Sequence, residues 1–269
     1  MMQRHPVGNR LSHAVFAGCT LLCGLFLLLG AAIAGNTATT RIVSLDLCTD
    51  WMLARHADPH QVAALSPLFE RYPPPWRDRT WPAHDGSLER ILELKPDLVI
   101  SGQYNALLLR GRLKALGVTV EVMPTPQTLD GLVDYEQRFL TLLQQPGSPH
   151  PLSDASPHAA PSLGRLLLLG PNGIGTGRHT FEDDVIQHAG WTNYLTHDGL
   201  VRLDLEQIAT DPPDAIVWAR PEHRALANQF ARHPVLHRVV PANKWLTTDY
   251  WRWQCPGPWM WELIPQLQR

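Results

Sequence analysis

Apolar positions along the chain fall into two alternating kinds of pattern. Arg41-Ile-Val-Ser-Leu45 and Arg165-Leu-Leu-Leu-Leu169 are short apolar runs of strand length. Leu88, Ile91, Leu92 and Leu94 mark one helical face, with Ser87 placed as N-cap. After that face come Pro96 and Asp97 and then the apolar run Leu98-Val99-Ile100. The same phrase returns 117 positions later as Leu205-Glu206-Gln207-Ile208, four residues, and Pro213-Asp214-Ala215-Ile216-Val217. Each copy predicts a short helix stopped before a proline and then a strand covered on both faces. Further strands are expected near 97–101 and 118–123, one helix over Leu129–Gln145, and a final helix near 257–268. Strand, helix and strand in alternation, twice over, predict two sibling α/β lobes with parallel sheets and a cleft between them.

Residues 1–40 break this pattern. Arg4, His5 and Arg10 precede an apolar stretch from Ala14 to Ala34, and Ala32-Ile-Ala34 then precedes Gly35. This is the layout of a secretory signal peptide over residues 1–34, with an uncleaved membrane anchor as the alternative. Losing Arg4 and Arg10 from the 23 basic residues leaves 21 against 25 acidic ones, a net charge of −4. Only Lys95, Lys114 and Lys244 supply lysine, and no basic stripe appears, so nucleic acid is excluded as a partner. Cys48 and Cys255 stay with the exported chain. In an oxidising compartment two such cysteines often pair; two buried thiols, or thiolates on a metal centre, are the other readings.

The expected organisation is a first lobe over 41–126, a connecting helix and linker over 127–162, and a second lobe over 163–269. Five prolines between Pro146 and Pro161 rule out a regular helix there.

The paired halves, the single connecting helix and two motifs together resemble one family: the periplasmic substrate-binding proteins of ABC importers for iron-siderophores and cobalamin. The motifs are Leu88-Glu89-Arg90-Ile91 with Lys95-Pro96-Asp97-Leu98-Val99-Ile100, and Phe181-Glu-Asp-Asp-Val-Ile-Gln-His-Ala-Gly-Trp-Thr-Asn193. The resemblance covers nearly everything from Arg41 onward. It implies two Rossmann-like lobes joined by one helix, a ligand cleft between them, and an exported protein that hands a bulky metal chelate to a membrane permease and its ATPase. No resident cofactor and no enzymatic step are implied. Two departures stand out. The lobe-bridging helix is shorter than the family's and runs into the proline tract, and Phe69 stands where a tyrosine is expected.

By the same resemblance, Asp249, Tyr250, Trp251, Arg252 and Trp253 match a loop that touches a corrin ligand, and Phe69 matches an aromatic of the first lobe. Tyr72 is a further candidate, on the aromatic stretch from Ser66 to Trp76. Tyr250, Trp251, Trp253 and Trp259 crowd ten residues with no strand or helix period, as an aromatic-lined binding loop would. Glu89 and Glu206 match the pair that docks onto permease arginines. Each also gains roughly 0.3–1 kcal/mol from its helix dipole, a sufficient structural reason for an acid there.

Rival chemistries find less support. Pro171-Asn-Gly-Ile-Gly-Thr-Gly-Arg178 fails both the dinucleotide and the Walker spacing, and reads as flexible access to the cleft. No Gly-x-Ser-x-Gly or His-Glu-x-x-His motif marks a secreted hydrolase. A bare-metal receptor would have to draw on His84 and His179. Haem, with Tyr72 or Tyr250 as axial group, is the third ligand class, beside corrinoids and ferric siderophores.

Overall fold

The computed structural model describes residues 40–77, 79–147, 149, 162–221 and 226–268. The expected signal segment 1–34 and most of the proline tract, 148 and 150–161, lie outside the described residues.

The first sheet has four parallel strands in the order β2-β1-β3-β4: β1 (Ile42–Ser44), β2 (Val62–Ala64), β3 (Leu98–Gly102) and β4 (Val120–Met123). Helices α1 (Leu47–His56), α2 (Leu68–Arg71), α3 (Leu88–Glu93) and α4 (Leu107–Ala115) connect them. Alternation along the strands supplies two covered faces. Val43 and Val99 pack with Ile91 and Leu113 of α3 and α4, while Ile42, Leu98 and Ile100 turn to the other side, toward α1.

Helix α5 (Leu129–Leu142) then crosses to the second half. Thr128 caps it through the Gly131 N–H (3.0 Å), and its Leu129, Leu132, Tyr135 and Phe139 form the buried stripe that the sequence predicts. The second sheet contains β5 (Arg165–Leu169), β6 (Ile174–Thr176), β7 (Thr192–Asn193), β8 (Leu200–Arg202), β9 (Ala215–Arg220) and β10 (Trp245–Asp249). Its order is β10-β9-β5-β6-β8, with β7 beside β5; β10, β9, β5 and β7 are parallel, and β6 and β8 run antiparallel to their neighbours. Its helices are α6 (Phe181–His188), α7 (Leu205–Thr210), α8 (Pro234–Val239), α9 (Tyr250–Gln254) and α10 (Trp259–Leu267).

The repeated phrase performs one structural task in both halves. Asp97 accepts the Arg41 backbone N–H at 2.8 Å, and Asp214 accepts that of Arg165 at 2.6 Å. Each carboxylate thereby fixes where the first strand of its lobe begins against the strand after the proline: Ile42 opposite Leu98, and Leu166 opposite Ala215. Gly164, at φ +126°, lets the second carboxylate come close, since a Cβ there would meet Asp214 Oδ2 at 2.8 Å.

One core runs through both halves. Ile42 and Ile100 of the first sheet, Leu132 and Phe139 of α5, Leu166 and Leu168 of the second sheet, and Met260 and Leu263 of α10 belong to a single buried cluster. Each such side chain contributes roughly 1.5–3 kcal/mol by burial.

Candidate functional site

The carboxyl ends of the two sheets approach each other through side chains of their following segments. Cys48, in the first turn of α1, is bonded to Cys255, just after α9, with Cα atoms 4.8 Å apart. Of the readings the two cysteines left open, the structure takes the bridge. It closes a separation of 207 residues, worth about 5 kcal/mol in the loop-entropy model.

Helix α1 is the hub of the first lobe's side of this site. Asp46 caps it, accepting from Cys48 N (3.1 Å) and Thr49 N (3.2 Å), and also accepts the Gly102 N–H at 2.6 Å, tying the turn after β3. Asp50 is fully buried and holds Ser66, through the backbone N–H (2.9 Å) and the hydroxyl (2.6 Å). Burial pushes the Asp50 carboxyl up to about 8. Trp51 donates its indole N–H to the Tyr72 carbonyl at 3.0 Å. Two adjacent residues of one helix therefore hold both ends of the Ser66–Tyr72 segment.

That segment meets the second lobe in an aromatic seam. The Tyr72 and Trp251 rings lie 4.4 Å apart, and Tyr250 is edge-on to Trp251 at 5.2 Å. Beside them Trp76 stacks on Trp259 at 4.8 Å, and Trp51 stands edge-on to both at 5.3 Å. Trp51 and the part played by Trp76 escape a sequence reading, because an aromatic at helical spacing looks like ordinary core. Arg55 and Glu262 add a half-exposed ion pair of 3.2 Å across the seam, worth little in water.

The predicted site residues divide into two groups. Tyr72, Tyr250 and Trp251 are half-buried and adjacent. Phe69 is 1 % exposed, with Arg77 over its ring at 5.2 Å, and Trp253 is 2 % exposed, its indole N–H bound to Thr248 Oγ1 at 2.8 Å. Phe69 is a core residue here. Trp253 keeps one edge on a pocket described below. Asp249 and Arg252 serve each other: Asp249 caps α9 through the Arg252 N–H (2.8 Å) and pairs with its guanidinium (3.0 Å).

The stretch around these residues also differs from the expected irregular loop. Residues 245–249 are strand β10 and 250–254 are α9, two elements too short to reveal a period. The glycine-rich turn after β5 departs from expectation as well. It doubles back as β6, and a Cβ at Gly177 would run into the His197 carbonyl, so its glycines serve close packing.

The two histidine candidates do not converge on the seam as free ligands. His84 is buried, and that burial lowers its value below the ordinary histidine range; Nδ1 accepts the Gly86 N–H (2.9 Å) and Nε2 donates to Ser44 O (2.7 Å). His179 is exposed and faces Asp198 at 3.2 Å. Glu89 and Glu206 lie exposed in the first turns of α3 and α7, at equivalent places in the two halves.

Two further features border the site. A pocket of about 250 Å³ opens at the carboxyl ends of β5, β9 and β10, lined by Asn172, Thr176, Glu182, Tyr250, Trp253 and Gln254. Large apolar side chains are also left in solvent. In the first lobe they follow the carboxyl end of β3, with Tyr104 at 74 % and Leu108 at 86 % exposure; in the second, Leu200 is 77 % exposed and also lines the pocket.

Neither protein-family models nor curated proteins match the chain. Solved structures do. A possible iron-binding, periplasmic solute-binding protein of Staphylococcus epidermidis is 19% identical with TM-score 0.65, over 85% of this chain and 96% of that one. The periplasmic haem-binding protein HutB of Vibrio cholerae is 17% identical with TM-score 0.65, over 86% and 98%. The vitamin B12-binding protein BtuF of Vibrio cholerae is 20% identical with TM-score 0.59, over 85% and 94%. The chain has the two-lobed α/β fold of these periplasmic binding proteins.

Proposed function

We propose that the protein is the exported substrate-binding component of an ABC importer, capturing a bulky metal chelate between its lobes and delivering it to the permease. The observation that carries this reading is the aromatic seam at the facing carboxyl ends of the two sheets, where Tyr72 and Trp251 meet across the halves. Flat, polarisable walls with few charges suit a large ring system or a wrapped chelate. A corrinoid, haem and a ferric siderophore all satisfy that description. Similar folds include proteins named for haem, for iron and for vitamin B12.

The work is capture and docking, without bond chemistry. Residues 1–34 act as the export signal, placing the protein in the periplasm. Glu89 and Glu206, one on each lobe, are the docking pair for permease arginines. The cross-lobe disulfide limits how far the lobes separate, so closure on the ligand is small. A bare-metal receptor is disfavoured because both ring nitrogens of His84 are already bonded within the protein.

Absorbance titration of the exported protein with haem, dicyanocobinamide and ferric hydroxamates tests this reading. A saturable spectral shift with one class at 1:1 stoichiometry supports it; no shift with any class refutes it.

A further inference from the structure

The pocket beside the seam has a chemistry of its own. Glu182, the second residue of α6, is the one charged side chain among the described residues lining it; the other polar groups there include Asn172, Thr176, Tyr250 and Gln254. A helix start ordinarily draws anions, yet three acids occupy this first turn. Two of them are spent within the protein. Asp183 accepts from His179 N (3.1 Å), Gln187 Nε2 (2.9 Å) and Asn193 Nδ2 (3.0 Å), and Asp184 accepts the Leu129 N–H of α5 at 2.6 Å. Glu182 is the acid that borders the cavity. Partial burial raises its carboxyl above the usual range, although its own backbone N–H and Thr180 already hydrogen-bond to it, so a donor arriving there meets a half-buried acceptor with lone pairs to spare. The space, about 250 Å³, is ample for a short side arm.

We infer that this pocket is a subsite for an N–H-bearing side arm of the captured chelate, a primary amide or an ammonium, with Glu182 as its acceptor, and that it turns away carboxylate-fringed ligands. The inference rests on the chelate-capture reading and narrows it. Tyr250 and Trp253 wall the arm, and Asn172, Thr176 and Gln254 offer further polar partners. An amide-fringed corrinoid or a ferric hydroxamate with a pendant ammonium fits such a subsite; haem, with two propionates, does not.

The test measures affinities of wild type, Glu182→Gln and Glu182→Lys for dicyanocobinamide (amide arms), ferrioxamine B (ammonium arm) and haem (carboxylate arms), with circular dichroism confirming that the variants fold. Wild type should bind cobinamide or ferrioxamine B in preference to haem, and Glu182→Lys should weaken that binding at least tenfold. Glu182→Gln separates the two arms, staying within about threefold for cobinamide and losing about tenfold for ferrioxamine B. Equal affinity in wild type and Glu182→Lys, or a wild type that prefers haem, overturns the subsite while leaving chelate capture intact. Wild type binding none of the three overturns the chelate reading itself, and the subsite with it.

Discussion

Tyr72 and Trp251, 179 positions apart in the sequence, lie with ring centroids 4.4 Å apart, one from each half of the molecule. Tyr72 is held from behind by the Trp51 indole, and Trp251 is carried by a helix that ends at a disulfide to the first half. The Tyr72 backbone and the end of the Trp251 helix are thus anchored on either side of the packed pair. Aromatic pairs contribute about 0.5–1.5 kcal/mol beyond their burial. Removing either ring should therefore weaken chelate binding by up to about tenfold, since 1.4 kcal/mol is a factor of ten. Calorimetric titration of Tyr72→Ala and Trp251→Ala with the chelate the wild type binds checks this; unchanged affinity in both removes the seam from the binding surface.

The disulfide should matter chiefly to stability. Losing about 5 kcal/mol of unfolded-state constraint, at about 2–4 °C per kcal/mol for a domain of this size, lowers Tm by about 10–20 °C. Thermal denaturation of Cys48→Ser with Cys255→Ser, against wild type, measures the drop. Thiol titration of the unfolded, unreduced protein should find no reactive thiol from this pair.

Asp50 makes a pH prediction with a definite sign. Its folded value, about 8, lies above its unfolded value near 3.9, so the folded state holds the extra proton between them. Its contribution is full below about pH 4 and is lost as pH rises toward 8. His84, with its value lowered, acts the opposite way below the ordinary histidine range, so the Asp50 effect is cleanest above about pH 6.5. Urea unfolding between pH 6.5 and 8 should show stability falling with pH, by at most about 1.4 kcal/mol per unit from one proton. Asp50→Asn should flatten that slope while keeping an acceptor for the Ser66 N–H; an unchanged slope would contradict the assignment.

Much of the architecture is legible in the sequence because it is written twice. The Leu-Glu-x-Ile and Pro-Asp phrases predict α3 with β3 and α7 with β9, and the apolar stripe of 129–142 announces α5. The function of Asp97 and Asp214 is hidden, because a carboxylate accepting a backbone N–H from a distant strand leaves no local pattern. The candidate site is legible only in part. Resemblance picks out Phe69, Tyr250 and Trp251, and the aromatic stretch adds Tyr72, but neither can show that Phe69 turns into the core while Tyr72 lies at the seam, since tertiary packing decides between two nearby aromatics. Glu182 escapes because an acid in a helix first turn is unremarkable until a cavity is seen beside it.

Glu89 and Glu206 carry the prediction about delivery. Both are exposed, at matching places on the two halves, and removed from the seam residues in sequence. Exposed acids contribute little alone, but charge pairs desolvated at an interface cost about 2–5 kcal/mol when one partner is lost. Glu89→Arg with Glu206→Arg should abolish chelate uptake in cells while leaving the affinity of the purified protein unchanged. Normal uptake would refute the docking role, and a matched loss of affinity would place these acids in the ligand site instead.

Capture of a bulky chelate between the lobes is tested most directly by tryptophan fluorescence. Titrating the ten-tryptophan protein with haem, dicyanocobinamide and ferric hydroxamates should give saturable quenching with one class, reduced in amplitude and affinity by Trp251→Ala. Fluorescence unmoved by every chelate, in protein whose circular dichroism shows it folded, would contradict the account.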